Sequence, residues 1–252
     1  MCTERCDICD IALVLPDSLL LVTWSKMTIQ LVNSRTGSTL SEVSTSLHCP
    51  TRICLMGGER AAVSMSDNKV QLVHVRGGRL TLGTVLDVKA ECWGVATSGD
   101  NVVVSYDSPP WLEVMSTDGR VLRRFKESGT AQTFKFPQFL TTSSDGFIYA
   151  ADRDVHAIIK LDSSLNLLQT FSDPQLGLPC GLTSVNSDSL LACNYTNDSI
   201  VHVNVNSGKV TTILGREDGI VKPLSLAYCP QQRKLFVCTF FRTDSIQVYQ
   251  ID

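Results

Sequence analysis

A four-strand pattern repeats six times along this chain of 252 residues, and no other feature of the sequence restricts its fold so strongly. Each unit has a short apolar run after a polar turn, such as 19–24, 101–106 and 147–152, and then an alternating strand. The runs are rich in Val, Leu and aromatic residues and have the length of buried strands. A further short strand precedes each run, and its equivalent positions, 42 to 45 residues apart, are Ile11, Ile53, Val95, Leu140, Leu182 and Leu226.

Four-stranded units with a period of roughly 40–50 residues are typical of propeller blades. We therefore predict an all-β fold, a six-bladed β-propeller that forms a single domain over residues 1–252. The predicted blades are approximately 8–47, 48–88, 89–130, 131–174, 175–216 and 217–252. Because the sixth unit ends after its third strand, either residues 1–7 complete that blade or it stays incomplete. We expect the chain to be a fragment, or a domain cut near its N-terminal boundary.

Composition and charge narrow the class of partner. The formal net charge is −3, which argues against a generic polyanion-binding protein and against DNA as a partner. No apolar run is long enough to span a bilayer, and no secretory h-region precedes the repeats. Ten cysteines are scattered along the chain, which favours reduced, mostly buried thiols over a disulfide framework. We expect a cytoplasmic location and no membrane association.

The fourth and fifth units resemble NHL repeats. The matching segments of the fourth are FPQF at 136–139, SDGFIYAAD at 144–152 and IIKLD at 158–162. In the fifth they are LPCGL at 178–182 and NDSIVHV at 197–203. The first three units depart from this pattern, since they lack its Tyr-Val-Ala-Asp ending. A WD40 propeller is disfavoured because Gly-His and Trp-Asp pairs do not occur at the expected places.

Over nearly its full length the chain resembles the C-terminal propeller of tripartite-motif (TRIM-NHL) proteins, especially the expanded invertebrate group. Segments 215–220 and 234–237 contribute to that resemblance. It implies a RING, a B-box and a coiled coil upstream, and a propeller that recognises a target protein or RNA as part of a ubiquitin ligase. The domain itself is then non-catalytic and monomeric, and becomes oligomeric only through those upstream segments.

In antiparallel blades the loops between second and third strands and the connections between blades share one face. On this face we predict a partner-binding site formed by Trp24, Lys26, Arg52, Trp93, Tyr106, Lys135, Arg153, Tyr195, Phe241 and Arg242. Aromatic and arginine side chains around a pore anchor peptides or stack bases; alternatively, the aromatics seal loops against neighbouring blades. The face holds nine basic and twelve acidic residues, which favours a protein over RNA, since RNA affinity depends on phosphate neutralisation.

The sequence gives little support for an enzymatic function. A lactonase-type, metal-dependent propeller hydrolase needs Glu, Asn and Asp side chains that converge from several inner strands, and the inner strands here are apolar or small. Nucleophile-elbow, zinc-helix and phosphate-loop motifs are also missing. We therefore predict no catalytic residue, no metal ligand and no cofactor, and keep the RNA-binding propeller and the hydrolase as alternatives.

The N-terminal stretch MCTERCDIC places Cys2, Cys6 and Cys9 in a C-x3-C-x2-C array. This spacing resembles the cluster-binding triad of radical-SAM enzymes, but those sites lie in a partial βα barrel, and the repeats show no βα alternation. The repeat register aligns Cys9 with Cys180, two residues before the anchor position of each unit. We interpret Cys9 as the first residue of a blade and the triad as a coincidence.

Overall fold

The computed structural model describes residues 8–14, 17–45, 48–127, 132–240 and 245–251, which form 23 strands and one short 3-10 helix at Arg216–Asp218. The strands of the first three blades are β1 (Ile8–Val14), β2 (Ser18–Thr23), β3 (Thr28–Asn33), β4 (Thr39–Ser44), β5 (Pro50–Met56), β6 (Arg60–Met65), β7 (Lys69–Arg76), β8 (Arg79–Asp87), β9 (Cys92–Ser98), β10 (Asn101–Asp107), β11 (Pro110–Met115) and β12 (Val121–Arg124). Those of the other three are β13 (Pro137–Thr142), β14 (Ile148–Asp152), β15 (Ala157–Leu161), β16 (Leu167–Phe171), β17 (Pro179–Asn186), β18 (Ser189–Asn194), β19 (Ser199–Asn204), β20 (Val210–Leu214), β21 (Pro223–Cys229), β22 (Lys234–Thr239) and β23 (Gln247–Gln250).

The strands form six antiparallel sheets in chain order, and the first strand of each sheet lies at the centre of the ring. The predicted all-β, six-bladed β-propeller is thereby confirmed. The anchor residues of the repeat occupy equivalent places, each opposite a residue of the second strand. The pairs are Ile11–Leu21, Ile53–Val63, Val95–Val104, Leu140–Ala150, Leu182–Ala192 and Leu226–Val237. The period in the sequence is therefore the period of the blades.

Apolar clusters between neighbouring blades hold the ring together. Second strands such as β2, β6 and β10 are buried along almost their whole length, because a blade packs on each of their faces. Outer strands such as β4 and β12 are mostly exposed. A fully buried Val or Leu side chain contributes about 1.5–3 kcal/mol of stability, so this packing explains the continuous apolar runs in the sequence.

The first and sixth blades close the ring by direct contact. Their shared cluster includes Ile11 and Leu21 from one blade and Ala227 and Phe236 from the other. The hydrogen bonds that cross this seam include Ile11 N–H to Ser225 Oγ at 3.3 Å, the Ser225 hydroxyl to Asp10 Oδ1, and Gln232 Nε2 to Asp17 Oδ1 at 2.7 Å. The described part of the sixth sheet has three strands, β21 to β23. The prediction that residues 1–7 complete it concerns residues outside the described ranges.

Candidate functional site

A pocket of about 660 Å³ opens on the face that carries the predicted binding loops. All six blades contribute to it, from the ends of inner strands and from loops between second and third strands. We call it the loop-face pocket. Its described lining residues are Cys9, Trp24, Ser25, Met27, Cys49, Thr51, Arg52, Trp93, Gln138, Arg153, Leu178, Cys180, Tyr195, Leu224 and Phe240. Aromatic and aliphatic side chains dominate this wall, and two arginines supply its charge.

The floor of the loop-face pocket follows the repeat register. In every blade the residue two positions before the anchor lines it; these residues are Cys9, Thr51, Trp93, Gln138, Cys180 and Leu224. Side chains alternate along a strand, so equivalent positions in six equivalent strands point to the same end of the channel. The inner strands also approach one another closely: a Cβ at Gly181 would lie 2.5 Å from the Cα of Ser225. Glycine therefore brings the fifth and sixth blades together just beneath the pocket.

Aromatic side chains form much of the pocket wall. The Trp24 side chain, in the loop after β2, is 40% exposed. The ring of Trp93 packs against Phe136, with centroids 5.7 Å apart. The rings of Tyr195 and Phe240 meet edge to face at 5.9 Å. Such rigid rings offer contact area at a low entropic cost, which suits an interaction surface.

Arg52 lies at the base of the pocket. It belongs to the inner strand β5 and is only 6% exposed, whereas the sequence interpretation placed it in a connection between blades. Its Nη1 donates to the carbonyl of Thr51 at 2.7 Å and to that of Cys9 at 3.5 Å, and its guanidinium stacks on Phe139 at 3.8 Å. Within the described part of the chain, Nε has no hydrogen-bond partner. One donor of a buried cation is therefore unsatisfied.

Arg153 lies at the rim, in the loop between β14 and β15. Its guanidinium lies over the ring of Phe136 at 4.5 Å, and its Nε contacts Asp154 Oδ1 at 3.1 Å. The side chains of that ion pair are 42% and 50% exposed, so water screens the pair and its contribution to stability is small. Asp152, in contrast, is fully buried. It accepts backbone N–H bonds from positions 135, 136, 154 and 155, which fixes this loop beside the pocket.

Beneath the pocket, a second cavity of about 320 Å³ continues along the central channel, and Arg52 lines both. Asp10, from β1, lies in this lower cavity and is 7% exposed. Its Oδ1 accepts a hydrogen bond from Ile11 N–H at 3.0 Å and one from the Ser225 hydroxyl, and its Oδ2 accepts one from Ile53 N–H at 2.9 Å. Burial raises the pKa of Asp10, and the positive charge of Arg52 opposes that rise.

The structure brings five of the ten predicted site residues together. Trp24, Arg52, Trp93, Arg153 and Tyr195 all line the loop-face pocket. Their role in binding stays a prediction.

The other five predicted residues lie elsewhere. Lys26 borders a different groove, near β3, and Lys135 is exposed but does not line the pocket. Tyr106 was wrongly assigned to the binding surface, since it is fully buried and its hydroxyl donates to Glu113 Oε2 at 3.1 Å. Phe241 and Arg242 lie outside the described residues.

Several pocket residues were missed from the sequence, among them Gln138, Cys180 and Leu224. The repeat register would have found them, because each stands two residues before an anchor. Asp10 was also missed, since the inner strands were interpreted as apolar or small.

Two of the thiols that line the pocket are poor nucleophiles at neutral pH. Burial raises the pKa of both the Cys9 and Cys180 thiols to about 11, although the nearby charge of Arg52 partly opposes this. Both thiols are therefore neutral near pH 7 and poor nucleophiles.

In the described ranges no group of three His, Cys, Asp or Glu side chains is arranged to hold a metal ion. The same ranges contain no helix with the length and apolar character needed to cross a membrane.

No protein-family model matches the sequence, and no curated protein is similar enough to match it. Similar solved structures include a streptogramin B lyase, with a TM-score of 0.71 and 14% identity over 100% of this chain and 85% of that chain. A catalytically inactive virginiamycin B lyase from Staphylococcus aureus with quinupristin has a TM-score of 0.69 and 15% identity, over 99% and 86% of the two chains. A nidogen/laminin complex gives 0.70 and 16%, over 87% and 84%. Identities this low show the fold alone: this chain has the fold of a six-bladed β-propeller.

Proposed function

We propose that this propeller is a non-catalytic interaction domain that recognises a target protein at the loop-face pocket. The observation that carries the proposal is the pocket itself, where all six blades converge on one aromatic wall with two arginines. Buried aromatic and arginine side chains dominate the energy of protein interfaces. The nidogen/laminin neighbour is a propeller fold in a protein complex, and it supports this class of function by analogy of fold.

The charge around the pocket favours protein over RNA as the target. RNA affinity comes largely from the neutralisation of many phosphates. The described wall of the pocket has two cationic side chains, Arg52 and Arg153. The sequence assigns more acidic than basic residues to the surrounding face. A protein segment that fills the aromatic wall needs few cations, so it matches this surface better.

The wider context in this proposal comes from the resemblance to tripartite-motif proteins. The propeller would be the target-binding module of a ubiquitin ligase whose RING, B-box and coiled coil lie in other segments of the full protein. It would be monomeric by itself and would act in the cytoplasm. Buried free thiols such as Cys92 and Cys193 are compatible with a reducing compartment. The sequence of the full-length gene product tests this context directly, since a RING and a B-box upstream are required.

We infer no catalytic step at the pocket. Two of its nucleophilic groups, Cys9 and Cys180, have thiols whose pKa burial raises to about 11. The lyases among the solved neighbours are 14% and 15% identical to this chain, which is too distant for a shared activity to follow from a shared fold. A lyase or a lactonase-type hydrolase therefore remains the weaker alternative.

Site-specific photo-crosslinking tests the proposal. A photoreactive phenylalanine analogue replaces Trp24, which is 40% exposed at the pocket, or Leu168, which is 49% exposed on the outer strand β16. Both proteins are irradiated in extract from the source cells, with and without nuclease. We expect one defined protein to crosslink at position 24, not at 168, and to resist nuclease. The purified partner should then bind Trp24→Ala at least about 30-fold more weakly, as expected for an interface anchor.

Two results contradict the proposal. Equal crosslinking at positions 24 and 168 would mean that the loop face is not a specific interface. Crosslinks to RNA that nuclease removes would replace the protein target by RNA.

A further inference from the structure

We propose that the loop-face pocket binds a carboxylate group of its target together with an adjacent apolar side chain. The carboxylate pairs with the Arg52 guanidinium and the Trp93 indole N–H, and the apolar side chain packs on the aromatic wall. This inference rests on the proposed function, because it specifies the chemistry of the protein segment that the pocket recognises.

Two buried hydrogen-bond donors of the loop-face pocket lack acceptors. Arg52 Nε and Trp93 Nε1 are both buried, and neither has a hydrogen-bond partner in the described part of the structure. Buried donors are rarely left unsatisfied, because each loses its bonds to water without replacement. Both residues line the loop-face pocket. A ligand acceptor at the base of the pocket would satisfy both.

The Ser64 hydroxyl holds the backbones of these two residues side by side. Ser64, which is fully buried in β6, accepts a hydrogen bond from the backbone N–H of Arg52 at 3.1 Å. Its hydroxyl also donates to the backbone carbonyl of Trp93. Both strand ends are thereby fixed to one atom. Because the two backbones are held in place, only the side chains have to be ordered when a ligand binds.

The charge of the described pocket wall also favours an anionic ligand. The described wall contains Arg52 and Arg153 and no Asp or Glu. The thiols of Cys9 and Cys180 are neutral near pH 7, since burial raises the pKa of each to about 11. Asp10, the acid on the channel side, already accepts hydrogen bonds from three protein groups. The wall itself therefore carries two cations and no carboxylate among mainly apolar side chains, which suits one ionised carboxylate.

The size of the pocket limits the rest of the ligand. About 660 Å³ lies within the range of sites that enclose a drug-sized molecule, so a few residues of an extended peptide fit. Trp24, Met27 and Phe240 provide apolar contacts around them. The carboxylate has two possible sources, a free C-terminus or an Asp or Glu side chain, and both present the same planar acceptor to a guanidinium.

Three peptide probes distinguish the sources. They are N-acetyl-Phe-Leu as the free acid, the same peptide as its C-terminal amide, and N-acetyl-Phe-Glu-Leu amide. Each is titrated into the ¹⁵N-labelled domain up to about 10 mM, within reach of millimolar affinities. The three tryptophans of the chain give three indole N–H signals, and the variants below assign those of Trp93 and Trp111.

We expect the free acid, the glutamate peptide or both to shift the Trp93 signal. The amide should bind at least about tenfold more weakly, because it lacks the charged acceptor. A response to the acid alone identifies a C-terminus as the source, and a response to the glutamate peptide identifies a side chain.

Matched variants separate recognition from structure. Trp93→Phe keeps an aromatic ring and removes the N–H, so affinity for the acid should fall about three- to tenfold while that for the amide is unchanged. Arg52→Met keeps most of the side-chain length and should abolish the preference for acid over amide. The control is Trp111→Phe: Nε1 of Trp111 is also buried and unpartnered, but this residue does not line the pocket. Its removal should leave both affinities unchanged. If Arg52→Met fails to fold, Trp93→Phe still decides the outcome.

Two results overturn the carboxylate inference and leave protein recognition intact. These are equal affinity for acid and amide, and no binding of any probe although a partner still crosslinks at Trp24. If an RNA oligonucleotide shifts the Trp93 signal and competes with the acid, both this inference and the protein target are wrong.

Discussion

Arg124 and Arg52 both lie against an aromatic ring, but they differ in what satisfies their charge. Arg124 Nε donates to Glu113 Oε1 at 2.7 Å, and its guanidinium lies 5.3 Å from the ring centre of Trp111. Tyr106 completes this group, since its hydroxyl donates to the other carboxylate oxygen of Glu113 and its ring stacks on Trp111 at 4.6 Å. We call these four residues the Glu113 cluster. Both oxygens of its carboxylate are engaged internally, so the Arg124 charge is satisfied within the cluster.

Among the described residues, the Arg52 guanidinium is hydrogen-bonded to backbone carbonyls and stacks on Phe139, and no carboxylate pairs with it. Its register partner on β6 is Ser64, whereas Glu113 stands directly opposite Arg124 on β12. A buried cation without its own anion is costly for stability. An arginine beside aromatic rings therefore does not by itself mark a binding site. The distinguishing feature is that no carboxylate among the described residues is hydrogen-bonded to the Arg52 guanidinium.

The largest expected effect is the loss of stability in Arg124→Met. The substitution leaves Glu113, which is fully buried, without its cation, and breaking a buried pair costs about 3–5 kcal/mol. Because the Arg124 side chain is 45% exposed, we expect a smaller loss of about 2 kcal/mol in the free energy of unfolding. Urea unfolding followed by fluorescence measures it.

Arg153→Met is the matched control for this prediction. Its ion pair with Asp154 is exposed on both sides, so its loss should change the free energy of unfolding by less than about 1 kcal/mol. If the two variants lost the same free energy of unfolding, an arginine paired with a buried carboxylate would be no more important for stability than one paired with an exposed carboxylate.

Tyr106→Phe should have an intermediate effect. It removes one buried hydrogen bond to Glu113 and keeps the ring that stacks on Trp111. We expect a loss of about 1 kcal/mol in the free energy of unfolding, and no change in affinity for the peptide probes. Weaker peptide binding with unchanged stability would return Tyr106 to the binding role that the sequence suggested.

The sequence predicted the ring far better than it predicted the site. Anchors such as Ile11 and Leu182 repeat because every inner strand meets the same neighbours, so spacing alone located six blades. The pocket floor shares this period, two residues before each anchor, but the pocket residues that come from loops do not. Trp24 and Tyr195 were found because aromatic residues in predicted loops of the binding face are visible in the sequence.

Tyr106 was misassigned for a physical reason. It stands at the end of a buried strand, and whether its ring faces a partner or its own blade depends on the Glu113–Arg124 pair across the next two strands. For Arg52, the sequence indicates the position but not the contacts. Its position one residue before an anchor places it in the channel, but the contact of its guanidinium with Phe139 joins blades two and four. Only the closed ring brings those residues together.

The smallest expected effect is a pH dependence that links Arg52 to Asp10. Burial raises the pKa of Asp10 above its usual 3.8, and Arg52 is the strongest opposing influence. Arg52→Met should therefore raise that pKa further. An acid with a raised pKa in the folded state binds its proton more tightly there than in the unfolded chain. Its contribution to stability is thus complete below the unfolded pKa and is lost as the pH rises through the folded value.

Arg52→Met should accordingly be least harmful in acid, and the difference in melting temperature from the unsubstituted protein should grow as the pH rises from about 4 to 8. The effect should be small because three hydrogen-bond donors remain on Asp10. Asp10→Asn provides the control, since an amide does not titrate: in that background Arg52→Met should shift the melting temperature equally at every pH. A pH-dependent difference that persists without Asp10 would assign the coupling to another group. Arg52 would then interact with a charge other than Asp10, and the proposed electrostatic link between the loop-face pocket and the lower cavity would be wrong.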